Sequence, residues 1–390
     1  MALGIWVWAL GFWYPVLVSD HYHVVFTLQK RLQKIRIGFS MKKQLFIFFT
    51  FFTLTLSFHV NAEHVMYVVT GTSNTLKIID TDTDKITGEI GELENAHGLS
   101  GNANTEYLVA GSMNQDNMGK SLSKPVAITE EEHKEHHAAD SGSSKSSGKS
   151  YVSIIHPKHG HVMRRIEVKG ITHHTSVSPD GKVAIAVHSK NGGVSVINLD
   201  QAKVLSFIKT GQVPNYAVFS SDGQFLYVSN AGSGNVSVID THKRAVIKNI
   251  KVGLGPEHLQ IDAHNEVLYV VNVIGGSVSA VNLADTHNIH TYKVGKSPHG
   301  ISLSTDGKRL FVSNKGGNSL TRINISNDNI ETISLEPAPY HVEVIPNSQK
   351  LYVSSRKQPK IWVIDQINMS VLKEINIGSG VAHQMVVLDR

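Results

Sequence analysis

Apolar and polar residues alternate with a period of two along most of this chain. The pattern is clearest in a short stretch that closes on Asp or Asn. It reads Leu76-Lys77-Ile78-Ile79-Asp80 and recurs at 152–156, where His156 takes the closing place, and at 194–198, 236–240, 278–282, 320–324 and 361–365. Such alternation predicts strands with one face on a core. A second strand lies upstream of each copy, as in Tyr67-Val68-Val69, Tyr107-Leu108-Val109, Tyr227-Val228-Ser229-Asn230, Tyr269-Val270-Val271-Asn272 and Phe311-Val312-Ser313-Asn314. Before it comes a strand that ends at a turn dipeptide, as in Asp180-Gly181, Asp222-Gly223 and Asp306-Gly307. A fourth strand follows the closing Asp, for example 245–250.

The spacing turns these strands into an architecture. From the second copy onward the starts step by 42, 42, 42, 42 and 41 residues, and the first step is 76. One insertion of 34 residues accounts for the difference. Four antiparallel strands in each repeat of 42, seven times over, predict an all-β, seven-bladed β-propeller. The region from 63 opens on a second strand, 65–70, and the chain stops after a first strand, 383–388. The last blade is therefore expected to take strands from both ends and to close the ring. No helix is needed anywhere in 63–390.

Composition narrows the chemistry. With no Cys, the chain excludes disulfides, Cys-ligated zinc, iron–sulfur clusters, c-type haem attachment and thiol nucleophiles. The formal charge of +5 suggests nucleic acid or anionic lipid until the start of the chain is read. Met41, Lys42 and Lys43 precede an almost wholly apolar run at 45–56. Val60 and Ala62 then stand at −3 and −1 of a cleavage site. Residues 41–62 thus read as a Sec-type signal peptide, with export to the periplasm or cell surface. Residues 1–40 read as an upstream extension outside the native chain, and the alternative is an anchor at 5–18. From Glu63 on, 31 basic residues balance 31 acidic ones, and 19 His remain. The basic balance belongs to the leader. No nucleic acid partner and no stable membrane span are expected of 63–390, and a monomer is.

The stretch Tyr227-Val228-Ser229-Asn230 followed by Val236-Ser237-Val238-Ile239-Asp240 resembles the Tyr-Val-Thr-Asn propeller repeat of bacterial exported proteins. Phe311-Val312-Ser313-Asn314 and Pro298-His299-Gly300-Ile301 match it too. The resemblance covers 63–390 apart from the insertion. It implies the fold and leaves the function open, because this scaffold carries many activities.

The residues that open the first strand of each blade should line the axis. They are Ala96-His97-Gly98, His173-His174-Thr175, Asn215-Tyr216-Ala217, Glu257-His258-Leu259, His299-Gly300-Ile301, Tyr340-His341-Val342 and Ala382-His383-Gln384. Six blades offer His and the third offers Tyr216. Imidazoles around a cavity are ligands for Zn(II) or Cu(II), and Glu257 is the nearest carboxylate. Counting from the turns, His174, His258 and His341 share one position, and His173 and His299 share the one before it. His97 and His383 are left unplaced by that count. Since a shift of one residue turns a side chain to the other face, three to five His are expected to converge. The alternative is a set of metal-free axial His bonded to water or carbonyls. Nitrous oxide reductase resembles this arrangement, but the chain lacks a Cys-bearing second domain, which argues against a reductase.

The insertion at 112–150 carries Glu130-Glu131-Glu132-His133-Lys134-Glu135-His136-His137 and then a Ser/Gly/Lys tail. His133, His136 and His137 form a short tract of metal-binding composition, and the alternative is a charged solvated loop. Strand order places this loop on the face where the axial strands begin. His156, His159 and His161 form a weaker cluster on the other face. The expectation is an exported zinc-binding propeller, with copper as the alternative, that buffers or delivers metal. It would use His97, His173, His174, His258, His299, His341 and His383 together with the loop. This reading is similar to the zinc metallochaperone propellers, which implies a metal importer or a periplasmic metal-binding protein as partner. The competing reading is a scaffold that binds protein or polysaccharide. No serine elbow, haem motif or paired catalytic carboxylates are evident, so the chain is expected not to be an enzyme. A lactonase or quinone-dependent dehydrogenase ranks last.

Overall fold

The computed structural model describes residues 64–114 and 149–389, together with two short strands near the start. The chain divides into two compact units, Met1–Phe58 and His59–Arg390. In the first, Gly4–Ala9 and Phe12–Leu17 pair as an antiparallel hairpin. The expected signal peptide and the His/Glu-rich tract with His133, His136 and His137 lie outside the described residues. Among the described residues no helix is long and apolar enough to cross a membrane.

The second unit is a ring of seven four-stranded antiparallel sheets. Blade 1 runs Ala96–Ser100, Leu108–Ser112, Lys149–His156 and His161–Lys169. Blades 2 to 6 follow in chain order, with inner strands Thr175–Val177, Pro214–Phe219, Pro256–Ile261, Pro298–Leu303 and Pro339–Val344. Blade 7 joins the two ends: Met385–Asp389 pairs with His64–Val69, which continues into Leu76–Asp80 and Lys85–Ile90. The ring is closed as the strand count required.

The repeated residues have identifiable local jobs. The Asp or Asn that closes six of the seven third strands accepts backbone N–H groups of the following turn: Asp365 Oδ1 takes Ile367 N and Asn368 N, each at 2.7 Å, and Asp240 Oδ1 takes Lys243 N at 2.9 Å. The Asn of the second strand ties blades together. Asn230 Oδ1 accepts Gly211 N from the preceding blade, and its Nδ2 donates to Ser237 Oγ. Asn314 does the same with Gly295 N and Thr321 Oγ1.

Burial follows the alternation. One apolar cluster fills each junction between neighbouring blades. Leu99, Leu108 and Ile155 pack with Leu76 and Ile90 between blades 7 and 1, for example, and Met66, Ile79 and Met385 pack with Tyr352 and Val363 between blades 6 and 7. Outer strands such as Val371–Asn376 are largely exposed. The core is therefore an annulus around an axis lined by the inner strands.

Two glycines set how closely the inner strands approach. A Cβ on Gly98 would sit 2.5 Å from His174 Cα. One on Gly300 would meet the Tyr340 carbonyl oxygen and lie 2.8 Å from His341 Cα. Both obstacles are backbone, which cannot swing aside. Gly300→Ala is therefore expected to cost about 1–3 kcal/mol of stability by overpacking. Urea unfolding checks this, and an unchanged midpoint would show that the blades can separate freely.

Candidate metal centre

A β-bulge opens the inner strands. In blades 1, 3, 4, 5 and 6 the register shifts between the strand's first paired residue and the residue three positions on, as between Pro256 and Leu259 and between Pro339 and Val342. In blade 2 the single residue Val187 bonds both His173 N and His174 O. In blade 7 Val69 likewise bonds both His383 N and Gln384 O. Two residues thus face one on the partner strand, and both can turn inward. The serine of the second strand completes the bulge: Ser229, Ser313 and Ser354 Oγ accept the N–H of Tyr216, Gly300 and His341 at 2.9–3.0 Å.

Two tiers result. His97, His173, Glu257, His299, Tyr340 and His383 hold the first position, and His174, Tyr216, His258, His341 and Gln384 hold the second. Gly98 and Gly300 leave gaps in the second tier that rings from the first tier approach. All seven predicted axial His come together. His97 lies 4.4 Å from both His173 and His383 between ring centroids, and His258 lies 4.3 Å from His299, 4.8 Å from His174 and 4.9 Å from His341. The expected three to five is thus too low, because the bulge lifts the one-face rule. His173 and His299 share a position as counted, and His97 and His383 join them.

Three groups have ligand atoms within 4.8 Å of one another: His174, His258 and His341; His97, His173 and His174; and Glu257, His258 and His299. Hydrogen bonding sorts them. His174 Nδ1 lies 2.9 Å from the Asn215 carbonyl oxygen and 2.8 Å from His173 Nδ1; the carbonyl can only accept, so a proton on His174 Nδ1 satisfies it and leaves Nε2 its lone pair. That Nε2 is buried without a partner, as are Nε2 of His341, Nδ1 of His383 and both ring nitrogens of His258. His299 also lacks hydrogen bonds at both nitrogens, although Glu257 Oε2 lies 3.1 Å from its Nδ1 in ion-pair range. His97 differs, with Nδ1 3.2 Å from His173 O and Nε2 3.3 Å from Tyr340 Oη. Its bonds fit a supporting role better than ligation.

Burial holds the imidazoles neutral. Desolvation pushes His97, His174, His258, His299 and His341 well below the usual imidazole value, and neighbouring imidazoles add to this. The same cause lowers His173, and it takes His383 to about 3. A neutral imidazole is the form that binds a metal.

The surroundings are polar in places that the repeat count did not single out. Tyr340 stacks on His299 at 3.9 Å, and Lys315 and Arg356 each stand 5.5 Å from its ring. Gln384 bridges Tyr216 Oη (2.9 Å) and Leu99 N (3.0 Å). Glu343 follows His341 by two residues and so faces the same channel, where desolvation raises its carboxyl to about 8. The axial cavity holds about 390 Å³, with Glu343, Gln260 and Ser176 among its walls. The insertion leaves and rejoins blade 1 at the sheet end where Ala96 pairs with Ser112, the end at which the axial strand begins. His156 and His159 stack at 4.0 Å elsewhere on the ring.

The fold and its axis define a β-propeller. Residues 193–342 match the model of the YNCE-like beta-propeller family, where the repeat had suggested the Tyr-Val-Thr-Asn type. Solved structures with similar shape include hydrazine synthase of Kuenenia stuttgartiensis (TM-score 0.61, 16% identity, 78% of this chain and 92% of that one). Another is the periplasmic gluconolactonase of Pseudomonas aeruginosa (TM-score 0.62, 17% identity, 83% and 98%). A third is a Bacteroides fragilis protein named for 6-phosphogluconolactonase activity (TM-score 0.62, 17% identity, 85% and 99%). No curated protein sequence matches the chain. At these identities the likeness is one of fold. It nevertheless overturns the expectation that the chain is not an enzyme. That expectation rested on missing motifs, and propellers of this shape carry lactonase names.

The lowered imidazoles set a pH dependence. Between an unfolded value near 6.5 and the lower folded value, the unfolded chain binds more protons, so stability rises with pH. It is complete above about 6.5 and lost as pH falls through the folded values. Each such group contributes a slope of about 1.4 kcal/mol per pH unit. In metal-free protein, His383→Gln is expected to flatten the fall in unfolding free energy between pH 6 and 4 by about that amount. Denaturant titrations at several pH values check this, and identical slopes would contradict it.

Proposed function

We propose that the chain is a metal-binding propeller whose principal site is His174, His258 and His341, with Zn(II) as the fitting ion and Cu(II) as the alternative. The observation that carries this reading is the set of unpartnered buried nitrogens: Nε2 of His174, Nε2 of His341 and both nitrogens of His258. Buried polar atoms ordinarily find hydrogen bonds, and three converging imidazoles without them lack a structural purpose that apolar residues would not serve better. Their ligand atoms already lie within 4.8 Å of one another. Tetrahedral zinc with bonds of about 2.0–2.1 Å holds its nitrogens about 3.4 Å apart, so the three rings would close in around the ion. The Nδ1–H of His174, held by Asn215, fixes its tautomer in the manner usual for metal-bound His.

The wider role is buffering or delivery. The signal-like segment 41–62 supports export, which would place the chain in the periplasm or at the cell surface. The residues that flank the His-rich insertion lie at the end of blade 1 where the axial strand begins, and this supports a route for loading the channel. A metal importer or a periplasmic metal-binding protein is the matching partner. A second reading is hydrolysis of a lactone. His174, His258 and His341 would hold the ion by three nitrogens, and zinc so held would supply an acidic bound water; the lactonase names among the structural neighbours favour this reading. Turnover of a simple lactone by zinc-loaded protein, abolished by chelator, would establish that reading.

Calorimetry with Zn(II) is expected to give a dissociation constant below micromolar. Replacing His174, His258 or His341 by Gln should weaken it by more than about 100-fold, beyond the usual effect of a supporting residue. His156→Gln should leave it unchanged, and deleting 115–148 should slow transfer to an acceptor while sparing affinity. Absence of Zn(II) or Cu(II) binding tighter than micromolar would overturn the proposal.

A further inference from the structure

His258 is shared by two ligand groups. It completes the set with His174 and His341, and it also completes the set with Glu257 and His299. Its ring is only 3% exposed, and neither nitrogen has a hydrogen-bond partner. A neutral imidazole carries one N–H and one lone pair. When one nitrogen binds a metal, the other normally donates its N–H to a carbonyl, a carboxylate or water. His174 follows that rule through Asn215. His258 has no acceptor on either side, so one ion on one of its nitrogens would leave a buried N–H unsatisfied.

We infer that the channel takes two divalent ions bridged by the imidazolate of His258, one completed by His174 and His341 and the other by Glu257 and His299. This rests on the metal-binding reading above and deepens it. Each nitrogen of His258 then forms one metal–nitrogen bond. The ring's single N–H bond breaks and its proton leaves to solvent, with no change of oxidation state. The second group is suited to this part. Glu257 supplies the one carboxylate in the three sets, and it sits 3.1 Å from His299 Nδ1, so a cation there meets an anionic ligand beside a buried imidazole. The anionic bridge and this carboxylate offset charge that two adjacent dications would otherwise leave exposed to each other in a desolvated space. The first site keeps three imidazoles and the second gains an oxygen ligand, so the two ions differ in affinity.

Cu(II) is the probe, because two copper ions on one imidazolate couple magnetically. The full chain is used with His133, His136 and His137 replaced by Ala, so that the loop tract adds no copper. Elemental analysis and low-temperature electron paramagnetic resonance are followed as Cu(II) is added. The expected result is a full-spin signal at one equivalent and loss of most of the integrated signal at two. Glu257→Gln is expected to abolish that loss and leave one full-spin copper. His258→Gln should remove the coupling at any loading. Should His258→Gln fail to fold, the Glu257→Gln protein still decides. Two ions with an undiminished spin count would overturn the bridge while leaving the metal-binding reading intact. Saturation of the channel at one ion that is lost in His174→Gln would do the same. No copper bound at all would overturn both.

Discussion

The five residues Met385–Asp389 pair with His64–Val69, and the rest of the molecule depends on that pairing. Each blade buries its apolar faces only against the blades beside it, so an open ring would expose the clusters on both sides of the last sheet. Met66, Ile79 and Met385 fill the junction with blade 6, and Val69, Leu76 and Ile90 fill the junction with blade 1. Closure by strands from opposite ends of the chain also leaves no unpaired inner strand at the seam. The axis exists only because this seam holds. His383 belongs to the strand segment that makes it, so one member of the imidazole cluster is placed by the same event that closes the fold.

Ring closure puts seven imidazoles into a space where water is scarce. Protonating them there is opposed first by desolvation and then by one another. The cluster is consequently held in the uncharged form at neutral pH, and ring nitrogens of His174, His258, His299, His341 and His383 have no hydrogen bond. In an ordinary core such nitrogens would bond carbonyls or hydroxyls, as His188 does with Ile171 O and Ser195 Oγ. His188 is the useful contrast within the same chain. It is as buried as the axial imidazoles, yet both of its nitrogens are satisfied, and it stands where other blades place the structural Asn230, Asn272 and Asn314. Burial alone therefore does not leave an imidazole orphaned. On the axis His97 is satisfied at both nitrogens, while His258 and His299 have no hydrogen bond at either.

Much of this was legible in the residues. The period of two, the 42-residue step and the terminal strands led to seven blades and the closing seam, because alternation reports burial directly and spacing counts the sheets. The insertion was located between the second and third strands of blade 1 by arithmetic alone. The axial count was not legible, because the rule that neighbouring residues face opposite ways fails at a bulge. A signal for the bulge was present: Ser229, Ser313 and Ser354 recur at one position of the second strand, and each caps a bulged N–H. Tyr340 and Glu343 were passed over for a related reason, since they flank a His already chosen and alternation offered no ground to weigh them separately. The absence of serine-elbow, haem and paired-carboxylate motifs was also over-read, because a propeller can assemble a site from one residue per blade and leave no local motif.

The two glycines connect the fold to the choice of ligands. Gly98 and Gly300 occupy the second tier in blades 1 and 5, where no side chain is offered to the axis. Their lack of a Cβ lets the next strand come close: His174 Cα of blade 2 would lie 2.5 Å from a Cβ on Gly98, and His341 Cα of blade 6 would lie 2.8 Å from one on Gly300. The two strands drawn in this way are those that carry His174 and His341. Gly300 lets the blade 6 strand with His341 approach blade 5, on the side where His258 of blade 4 stands, whereas Gly98 draws the blade 2 strand with His174 toward His97 of blade 1. Local backbone approach thus crowds the axis, where the closest pair of imidazoles, His258 and His299, lies 4.3 Å apart and His97 lies 4.4 Å from both His173 and His383.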